Sequence, residues 1–463
     1  MRPIEKHIFV AHVMRAILKA LTGIGFLTVA LHVATAGIAQ ARVATTAVAP
    51  APAPATATPD AKATVKPVVA AASNSLIAPV GAVMAVPAPG VRDERSFMHG
   101  IGQADAGDGK TWVFFSSSGL PPRGANRDGN WPHDVYVAQW NPGDSHLTNT
   151  RTFIKRPEAQ EPVSVAQNTK GTIFITFEDG WNAPRNVSQR YGVYSKDLKP
   201  IKPYPKDVES GGHSGHVAAV GDRFVVFYSA DWVNGGGVDN LGTGGGVYAN
   251  VYDGRGRLLR HVNVAAHVRE WWPVVAGSPT QALLVWQKYI PGSTIASLQY
   301  AVLDPRTGKL TRTEDSVDPF RVQYYVYAAA YIPAVDRFVV LATLDSGRAV
   351  AFLVDSKGRR TAELDCLPAL VRESSVAVEG STVFVPTQDG RLMTLGVDGD
   401  RITLRGTQRA PFAWGNTGVT SIASGDSVHF VSLSPDGLRE ADFSTQKQIA
   451  AGPADRCVVR AAQ

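Results

Sequence analysis

The chain has 463 residues, with 46 Lys and Arg, 40 Asp and Glu, and a formal net charge of +6 at pH 7. Its basic residues are scattered through turns rather than clustered, which argues against a nucleic acid partner. The length allows two or three domains, although one repetitive domain can absorb most of it.

The first 41 residues predict a secretory signal peptide. Basic residues precede the apolar run Leu21–Ile38, and Ala39-Gln40-Ala41 follows as an A-x-A cleavage site. Cleavage there would export the protein to the periplasm or the medium. The alternative is a retained membrane anchor, because the run approaches spanning length. Membrane association is expected only in that second case.

Residues 42–90 are dominated by Ala, Pro, Thr and Val and contain no aromatic side chain. Such a segment buries too little apolar surface to offset the entropy of ordering, so we predict a flexible Ala/Pro-rich tether. The apolar part of it, Ser75–Val91, is also compatible with an additional strand. The folded domain is expected to span 91–463.

A pattern of four apolar segments separated by turns recurs about seven times after Ser96, with a period of roughly 45–65 residues. The first segments are rich in small residues, as expected of strands that crowd around a channel. They are Phe97–Gln103, Pro162–Gln167, His216–Val220, Trp272–Ala276, Tyr324–Ala330, Ser374–Val378 and Gly418–Ala423.

The second segments are bulkier and nearly continuous in apolar residues, which favours strands buried on both faces. They are Thr111–Ser116, Thr172–Phe177, Arg223–Tyr228, Ala282–Gln287, Arg337–Thr343, Thr382–Thr387 and Ser427–Ser432. Four short strands at this period predict an all-β, seven-bladed β-propeller of four-stranded antiparallel blades, with little helix. Six blades plus an irregular segment is the competing interpretation.

The two cysteines, Cys366 and Cys457, are predicted to form a disulfide that ties the C-terminal tail to the fifth unit. Two separate buried thiols are the alternative, because sequence alone does not fix the geometry.

The loops between second and third strands are long in the first four units and short afterwards. They carry Trp131, Trp181 and Trp232 among charged residues that include Arg190. Aromatic faces interleaved with fixed polar groups suit carbohydrate, because sugar rings stack on the former and the latter bind hydroxyls. Packing of each Trp as a loop anchor is the alternative for that residue.

Alignment of the first strands predicts a ring of polar and aromatic residues at one mouth of the channel. Its members are His99, Glu161, His216, Trp272, Tyr325, Glu373 and Asn416, with His213 nearby. His, Glu and Tyr can exchange protons near neutral pH when their surroundings favour it. We therefore predict His216, Glu161 and Tyr325 as catalytic residues. The substrate-binding residues are predicted to be His99, Trp131, Trp181, Arg190, His213, Trp232, Trp272 and Glu373.

His213 and His216 are three residues apart, but no second cluster supplies the ligands that a structural zinc needs. The glycine-rich stretch Gly235–Gly246 lacks the ending of a phosphate-binding loop and a following helix. No metal and no cofactor are predicted.

The chain resembles the seven-bladed β-propeller superfamily from about Ser96 to Arg460, in period and strand pattern. Asp108-Gly109-Lys110-Thr111-Trp112 is similar to the end of a sialidase Asp-box, with the Asp displaced by one position. In character the chain resembles propeller polysaccharide lyases. That resemblance implies roles for His216 and Tyr325 in proton transfer and for Arg190 in neutralising a uronate, at the level of fold analogy.

The expected function is an exported, monomeric propeller that binds a glycan or other small polar ligand at one face of the ring, and the sequence is compatible with binding alone and with cleavage of the glycan. As an enzyme it would be a polysaccharide lyase or a glycoside hydrolase. The alternative is a non-catalytic lectin-like or protein-binding module of the cell envelope. Loops that differ from unit to unit favour a single site over a lectin that uses every blade.

Overall fold

A computed structural model of the chain describes residues 94–124, 132–180, 187–230, 245–266, 270–290, 293, 295–373, 375–445 and, for the backbone only, 459–461. The chain divides into two compact units, Met1–Ser73 and Asn74–Gln463, and every described residue belongs to the second. The predicted signal peptide and the whole of the predicted tether therefore lie outside the described residues and remain predictions.

The described chain is an all-β propeller, and its strands occur where the repeat predicts them. Three four-stranded antiparallel sheets come first, each built from consecutive strands. The first sheet contains β1 (Met98–Gly107), β2 (Lys110–Ser117), β3 (Asp134–Trp140) and β4 (Thr148–Ile154). The second contains β5 (Gln160–Gln167), β6 (Ile173–Asp179), β7 (Ser188–Tyr194) and β8 (Pro200–Ser210). The third contains β9 (His213–Val220), β10 (Arg223–Ser229), β11 (Gly246–Tyr252) and β12 (Leu258–Ala266).

The remaining strands form one large sheet and two further blade-sized sheets. The large sheet contains β13 (Glu270–Gly277), β14 (Ala282–Tyr289), β15 (Ile295–Leu303), β16 (Leu310–Thr311), β17 (Val317–Ile332), β18 (Arg337–Leu344), β19 (Ala349–Val354), β20 (Arg360–Leu367) and β28 (Val459–Ala461). A four-stranded sheet contains β21 (Ala377–Glu379), β22 (Thr382–Thr387), β23 (Arg391–Asp398) and β24 (Arg401–Arg409). A three-stranded sheet contains β25 (Val419–Ser424), β26 (Ser427–Ser434) and β27 (Gly437–Ser444).

The prediction of seven separate blades is wrong, because the described residues form five blade-sized sheets and one nine-stranded sheet. The fourth and fifth sequence units share the large sheet through β17, which is 16 residues long. Its first half pairs with β15, with Gln323 opposite Ile295, and its second half pairs with β18, with Ile332 opposite Arg337. One strand thus serves the outer edge of one unit and the inner position of the next.

The ring closes where β1 meets the last sheet. The backbone N–H of Gly100 donates to the carbonyl of Thr417 over 2.9 Å. Phe97 and Met98, at the start of the first sheet, pack in one buried cluster with Leu433 of β26. The two ends of the described propeller therefore contact each other directly.

The core lies between neighbouring sheets, as the apolar second strands predict. Every residue of β6 is buried, whereas most of the outermost strand β4 is exposed. Phe114 of the first sheet and Phe177 of the second pack in the same buried cluster. Burial of such side chains on both sheet faces stabilises the stacking by roughly 1.5–3 kcal/mol for each large residue.

Helix is confined, among the described residues, to the short 3-10 segments Glu94–Ser96 and Glu314–Ser316. This agrees with the predicted scarcity of helix. A search of the same residues finds no helix long and apolar enough to cross a membrane.

Candidate functional site

The inner strands enclose a central cavity of about 260 Å³. Residues from β1, β5, β9, β13, β17 and β25 line it, together with the segment that precedes β21. Most of them are small or apolar, as the first segments of the repeat predict. His216, Trp272 and Glu373, all predicted site residues, also line this cavity.

The inner strands share an irregularity at the mouth of the cavity. Ser214, Trp272, Tyr325 and Glu373 have positive φ angles of 53°, 54°, 66° and 54°, and Gly100 takes the same role in β1 with φ 82°. In β1, β9, β13 and β17 the residue lies at a break in strand register, as expected of a bulge. For a residue other than glycine this conformation costs on the order of 1–3 kcal/mol, and such strain concentrates at functional sites.

A buried chain of charged and polar side chains crosses the mouth. Oε1 of Glu373 lies 3.0 Å from Nε of Arg372, and its Oε2 lies 2.9 Å from Nε2 of His99. Nδ1 of His99 lies 3.7 Å from Oε2 of Glu161, which in turn contacts Nδ1 of His133. All five side chains are at least nine-tenths buried. The chain links the segment before β21 to β1 and β5.

Two members of this chain have strongly shifted pKa values. Burial alone would raise the pKa of Glu373, but His99 and Arg372 outweigh it and lower that pKa to about 2. Burial, reinforced by the charge of His99, lowers the pKa of His133 to about 3, against the opposing hydrogen bonds of the Ser96 and Phe97 backbone. At neutral pH, Glu373 is therefore a carboxylate and His133 a neutral imidazole.

A second, aromatic group lines the other side of the mouth. The rings of His216 and Trp272 meet edge to face at 5.9 Å, and those of Trp272 and Tyr325 at 4.6 Å. The guanidinium of Arg372 lies 4.5 Å from the centre of the Tyr325 ring, and the Glu373 N–H donates to the Tyr325 carbonyl over 3.4 Å. Arg372 and Glu373 thus join the aromatic group to the buried polar chain.

The surroundings of His216 define its tautomer. Nδ1 lies 2.7 Å from the Pro273 carbonyl and 3.1 Å from the Ser214 carbonyl, and carbonyls only accept hydrogen bonds. Nδ1 must therefore carry the proton. Burial lowers the pKa of His216 despite these hydrogen bonds, so the ring is neutral at neutral pH with its lone pair on Nε2. The side chain is half-buried and lines the cavity.

Two predicted catalytic residues lie beside the cavity rather than on its wall. Glu161 is 1% exposed and contacts His99 and His133. The hydroxyl of Tyr325 accepts a hydrogen bond from Nε1 of Trp271 over 3.3 Å, and its ring is covered by Arg372. Both hold other site residues in place.

Two predicted substrate-binding residues have structural partners elsewhere. Nε2 of His213 lies 3.4 Å from Glu178, and Nδ1 lies 2.7 Å from the Ser214 hydroxyl, so His213 supports the start of β9. Arg190 lies on β7, where it pairs with Asp179 at 2.8 Å and with Asp207 at 2.9 Å. Both of these carboxylates belong to the protein itself, and the role of Arg190 in neutralising a uronate stays a prediction.

Of the remaining predicted residues, the structure describes Asn416 but not the three tryptophans of the long loops. Asn416 is 8% exposed, and its backbone N–H donates to Glu94 over 3.0 Å beside the mouth. Trp131, Trp181 and Trp232 lie outside the described residues, so their roles remain predictions. The loops that carry them leave their sheets at the mouth end, because Ser117 and Asp179 at the loop starts pair with Met98 and Gln160.

Sequence reasoning missed His133 and Arg372. His133 ends a long loop and contacts Glu161, which is on another sheet. Arg372 precedes Glu373 directly, and a charged pair just before an inner strand is the signal by which the sequence could have indicated it. No group of three or more His, Cys, Asp or Glu side chains among the described residues is arranged to hold a metal ion.

No known protein family matches the chain, and neither does any curated protein. Among solved structures, it is similar to an α-L-arabinanase of Penicillium chrysogenum complexed with arabinobiose, with 11% identity, a TM-score of 0.42, and coverage of 76% of this chain and 94% of that one. It is similar to hydrazine synthase of Kuenenia stuttgartiensis, with 12% identity, a TM-score of 0.47, and coverage of 77% and 98%.

A third similar structure is the WD40 propeller domain of Doa1, with 11% identity, a TM-score of 0.41, and coverage of 78% of this chain and 97% of that one. At such identities and TM-scores these likenesses carry no argument about function. The assignment of the propeller fold rests on the strand order and on the contact between β1 and the last sheet.

Proposed function

We propose that this protein is an exported propeller that binds a glycan at the mouth of its channel, where His216 acts as a general base. The observation that carries the proposal is the orientation of the His216 imidazole. Its Nδ1 is fixed by the Pro273 carbonyl at 2.7 Å, and the ring lines a cavity of about 260 Å³. A cavity of this size suits one or two sugar rings rather than a macromolecular segment.

The chemistry of His216 supports a role as a base. Its lowered pKa keeps the ring unprotonated at neutral pH, so Nε2 accepts a proton from a sugar hydroxyl or from a water molecule. The neighbouring Trp272 presents an aromatic ring at the same cavity, on which the apolar face of a sugar stacks. A base beside a stacking platform is the arrangement that a glycan-directed site requires.

The buried chain from Arg372 to His133 supports the proposal in a second way. Burial of charged side chains is costly, and a protein often becomes more stable when apolar residues of similar volume replace both partners of a buried ion pair. Retention of such a chain next to strained residues favours a functional use. In this proposal Glu161, His99 and Tyr325 are positioning residues. Of the two carboxylates among these buried side chains, Glu373 is the one that lines the cavity.

A protein-binding scaffold is less well supported. The exposed large apolar side chains of the described residues are Leu120, Ile201, Leu258 and Val317, and they lie on separate elements. A docking surface for a protein would gather such side chains into one patch.

The proposal is tested with the mature protein and a panel of glycans, measured for binding by calorimetry and for turnover by new reducing ends and unsaturated products. His216→Ala is expected to abolish turnover and to weaken binding about tenfold, as loss of one buried hydrogen bond would. His146→Ala is the matched control, because that imidazole is 77% exposed outside the channel. Binding without turnover by the wild type would refute the role as a base. Unchanged binding and turnover in His216→Ala would refute the site.

A further inference from the structure

The charge of the cavity wall is distinctive. Among the residues that line the cavity, Glu373 is the one charged at neutral pH, since His216 is neutral and Tyr327 is a buried phenol. No Lys or Arg is part of the described lining. A ligand in the cavity therefore meets a fixed negative charge without a compensating cation on the wall.

The nearest cation is already committed to other groups. The Arg372 side chain is 10% exposed, its Nε lies 3.0 Å from Oε1 of Glu373, and its guanidinium covers the Tyr325 ring at 4.5 Å. It does not line the cavity. An acidic ligand would have to pull Arg372 away from two partners, and this would leave Glu373 buried beside a second carboxylate.

Several polar side-chain atoms of the cavity-lining residues are hydrogen-bond acceptors. Two buried side-chain oxygens of cavity-lining residues lack a hydrogen-bond partner among the described residues, namely Oε1 of Gln103 and Oγ1 of Thr417, whereas Oε1 of Glu373 faces Nε of Arg372. Gln103 uses its amide N–H to reach the Ser421 carbonyl over 2.5 Å, which leaves its oxygen as a pure acceptor. The Glu373 carboxylate and Nε2 of His216 give the wall hydrogen-bond acceptors that a ligand hydroxyl can use.

We infer that the channel mouth selects neutral glycans, which donate hydroxyl hydrogens to this wall, and rejects uronates. The inference rests on the proposed function and narrows it to one class of substrate. Repulsion from Glu373 in a partly desolvated cavity disfavours a ligand carboxylate, while a neutral hydroxyl group meets no such repulsion and can donate to Nε2 of His216. A consequence concerns the reaction: β-elimination needs the carboxylate of a uronate beside the abstracted proton, so unsaturated products are not expected.

The test uses matched pairs of oligosaccharides that differ only at C6. A β-1,4-linked glucose tetramer is compared with its glucuronate counterpart, and a galactose tetramer with its galacturonate counterpart, by calorimetry on the mature protein. The wild type is expected to bind the neutral member of at least one pair about tenfold or more tightly than the acidic member. Glu373→Gln is expected to reduce that preference to about threefold or less.

Glu178→Gln is the matched control, because Glu178 is also a buried carboxylate but contacts His213 and does not line the cavity. It is expected to retain the preference of the wild type. Circular dichroism of each variant verifies that it is folded. If Glu373→Gln does not fold, Glu373→Asp replaces it. Because Glu373→Asp keeps the charge, it is expected to keep the preference for the neutral oligosaccharide. Equal or tighter binding of the uronates by the wild type, or unsaturated products from them, would overturn the inference while leaving glycan binding intact. Failure to bind any glycan of the panel would overturn the proposed function itself.

Discussion

Nε2 of His99 lies 2.9 Å from Oε2 of Glu373, although the two residues are 274 positions apart in the sequence. One belongs to the first strand of the propeller and the other precedes β21, so their contact spans the ring near its closure. Because both side chains are more than nine-tenths buried, this pair holds the channel mouth in one geometry and shapes the cavity wall beside His216.

The first prediction concerns acid stability through Glu373. Its pKa is lowered from 4.5 to about 2 in the folded protein. The carboxylate therefore contributes stability above its unfolded pKa, and this is lost as the pH falls from about 4.5 to about 2. We expect a loss of about 3 kcal/mol in the free energy of unfolding across that window.

Urea denaturation at each pH measures this loss. Glu373→Gln should be less stable than the wild type at pH 7, because Arg372 and His99 lose a buried partner, and its stability should vary less between pH 4.5 and 2. Glu379→Gln, on an exposed residue of β21, is the control and should keep the wild-type profile. An unchanged profile in Glu373→Gln would contradict the assignment.

The second prediction concerns His133, whose pKa falls from 6.5 to about 3 on folding. Between these values the unfolded chain binds a proton that the folded protein does not, so stability decreases as the pH falls from about 6.5 to 3. His133→Gln should flatten this part of the profile. The same denaturation series checks it, and a wild-type slope in the variant would show that His133 does not titrate as described.

The third prediction has the opposite sign and concerns His429. Its Nδ1 lies 2.8 Å from Asp442 and its Nε2 lies 3.0 Å from Glu440, which also faces His146 at 3.7 Å. Burial alone would lower the pKa of His429, but the two carboxylates raise it. The protonated ring therefore stabilises the last sheet fully below pH 6.5, and this contribution is lost as the pH rises through the raised pKa.

Thermal unfolding between pH 6 and 9 tests this third prediction. The wild type should lose stability as the pH rises, and His429→Gln should lose this dependence. His261→Gln, at an exposed position on β12, serves as the control and should follow the wild type. If stability depends on pH equally in the wild type and in His429→Gln, Asp442 and Glu440 do not raise the pKa of His429.

How far the sequence predicts the fold can be judged from particular strands. The apolar segment Thr172–Phe177 predicts β6 within two residues, because a strand buried on both faces needs a continuous apolar run. β17 is different. Val317–Ile332 begins with polar and proline-containing sequence, and its pairing with two neighbours depends on how adjacent units are placed in space. The local pattern therefore suggests two strands where one long strand occurs.

The candidate site, like the fold, is predicted by the sequence only in part. Trp272 and Tyr325 occupy equivalent positions in the repeat, so alignment of the units predicts that they lie near each other, whereas His216 lies two residues beyond the equivalent position, Ser214. His133 joins the site through a contact with Glu161 on another sheet, and Arg372 stands where the corresponding units have Trp271 and Tyr324. Only the fold brings such residues together, because no local pattern records which loop meets which strand.

The fourth prediction concerns the disulfide. The tail strand pairs with β20 so that Ala362 is opposite Ala461 and Leu364 is opposite Val459. Two positions further in each direction the sequence has Cys366 and Cys457, the latter outside the described residues. This register favours the predicted bond, because facing residues of antiparallel strands lie within disulfide range.

Peptide mapping without reduction should yield a fragment that joins the two cysteines. Cys366→Ser should lower the free energy of unfolding by about 2–4 kcal/mol. The same substitution in protein kept under reductant should have a much smaller effect, which separates the bond from the packing of the side chain. Quantitative alkylation of both thiols in the native, unreduced protein would refute the bond.

The central claim, a glycan site at the channel mouth, is tested most directly by a crystal structure of the protein with the tightest-binding oligosaccharide of the panel. The account predicts a sugar ring in the central cavity, stacked on Trp272, with a hydroxyl group within hydrogen-bond distance of Nε2 of His216. A fully occupied oligosaccharide bound elsewhere, with the channel mouth free of sugar, would contradict it.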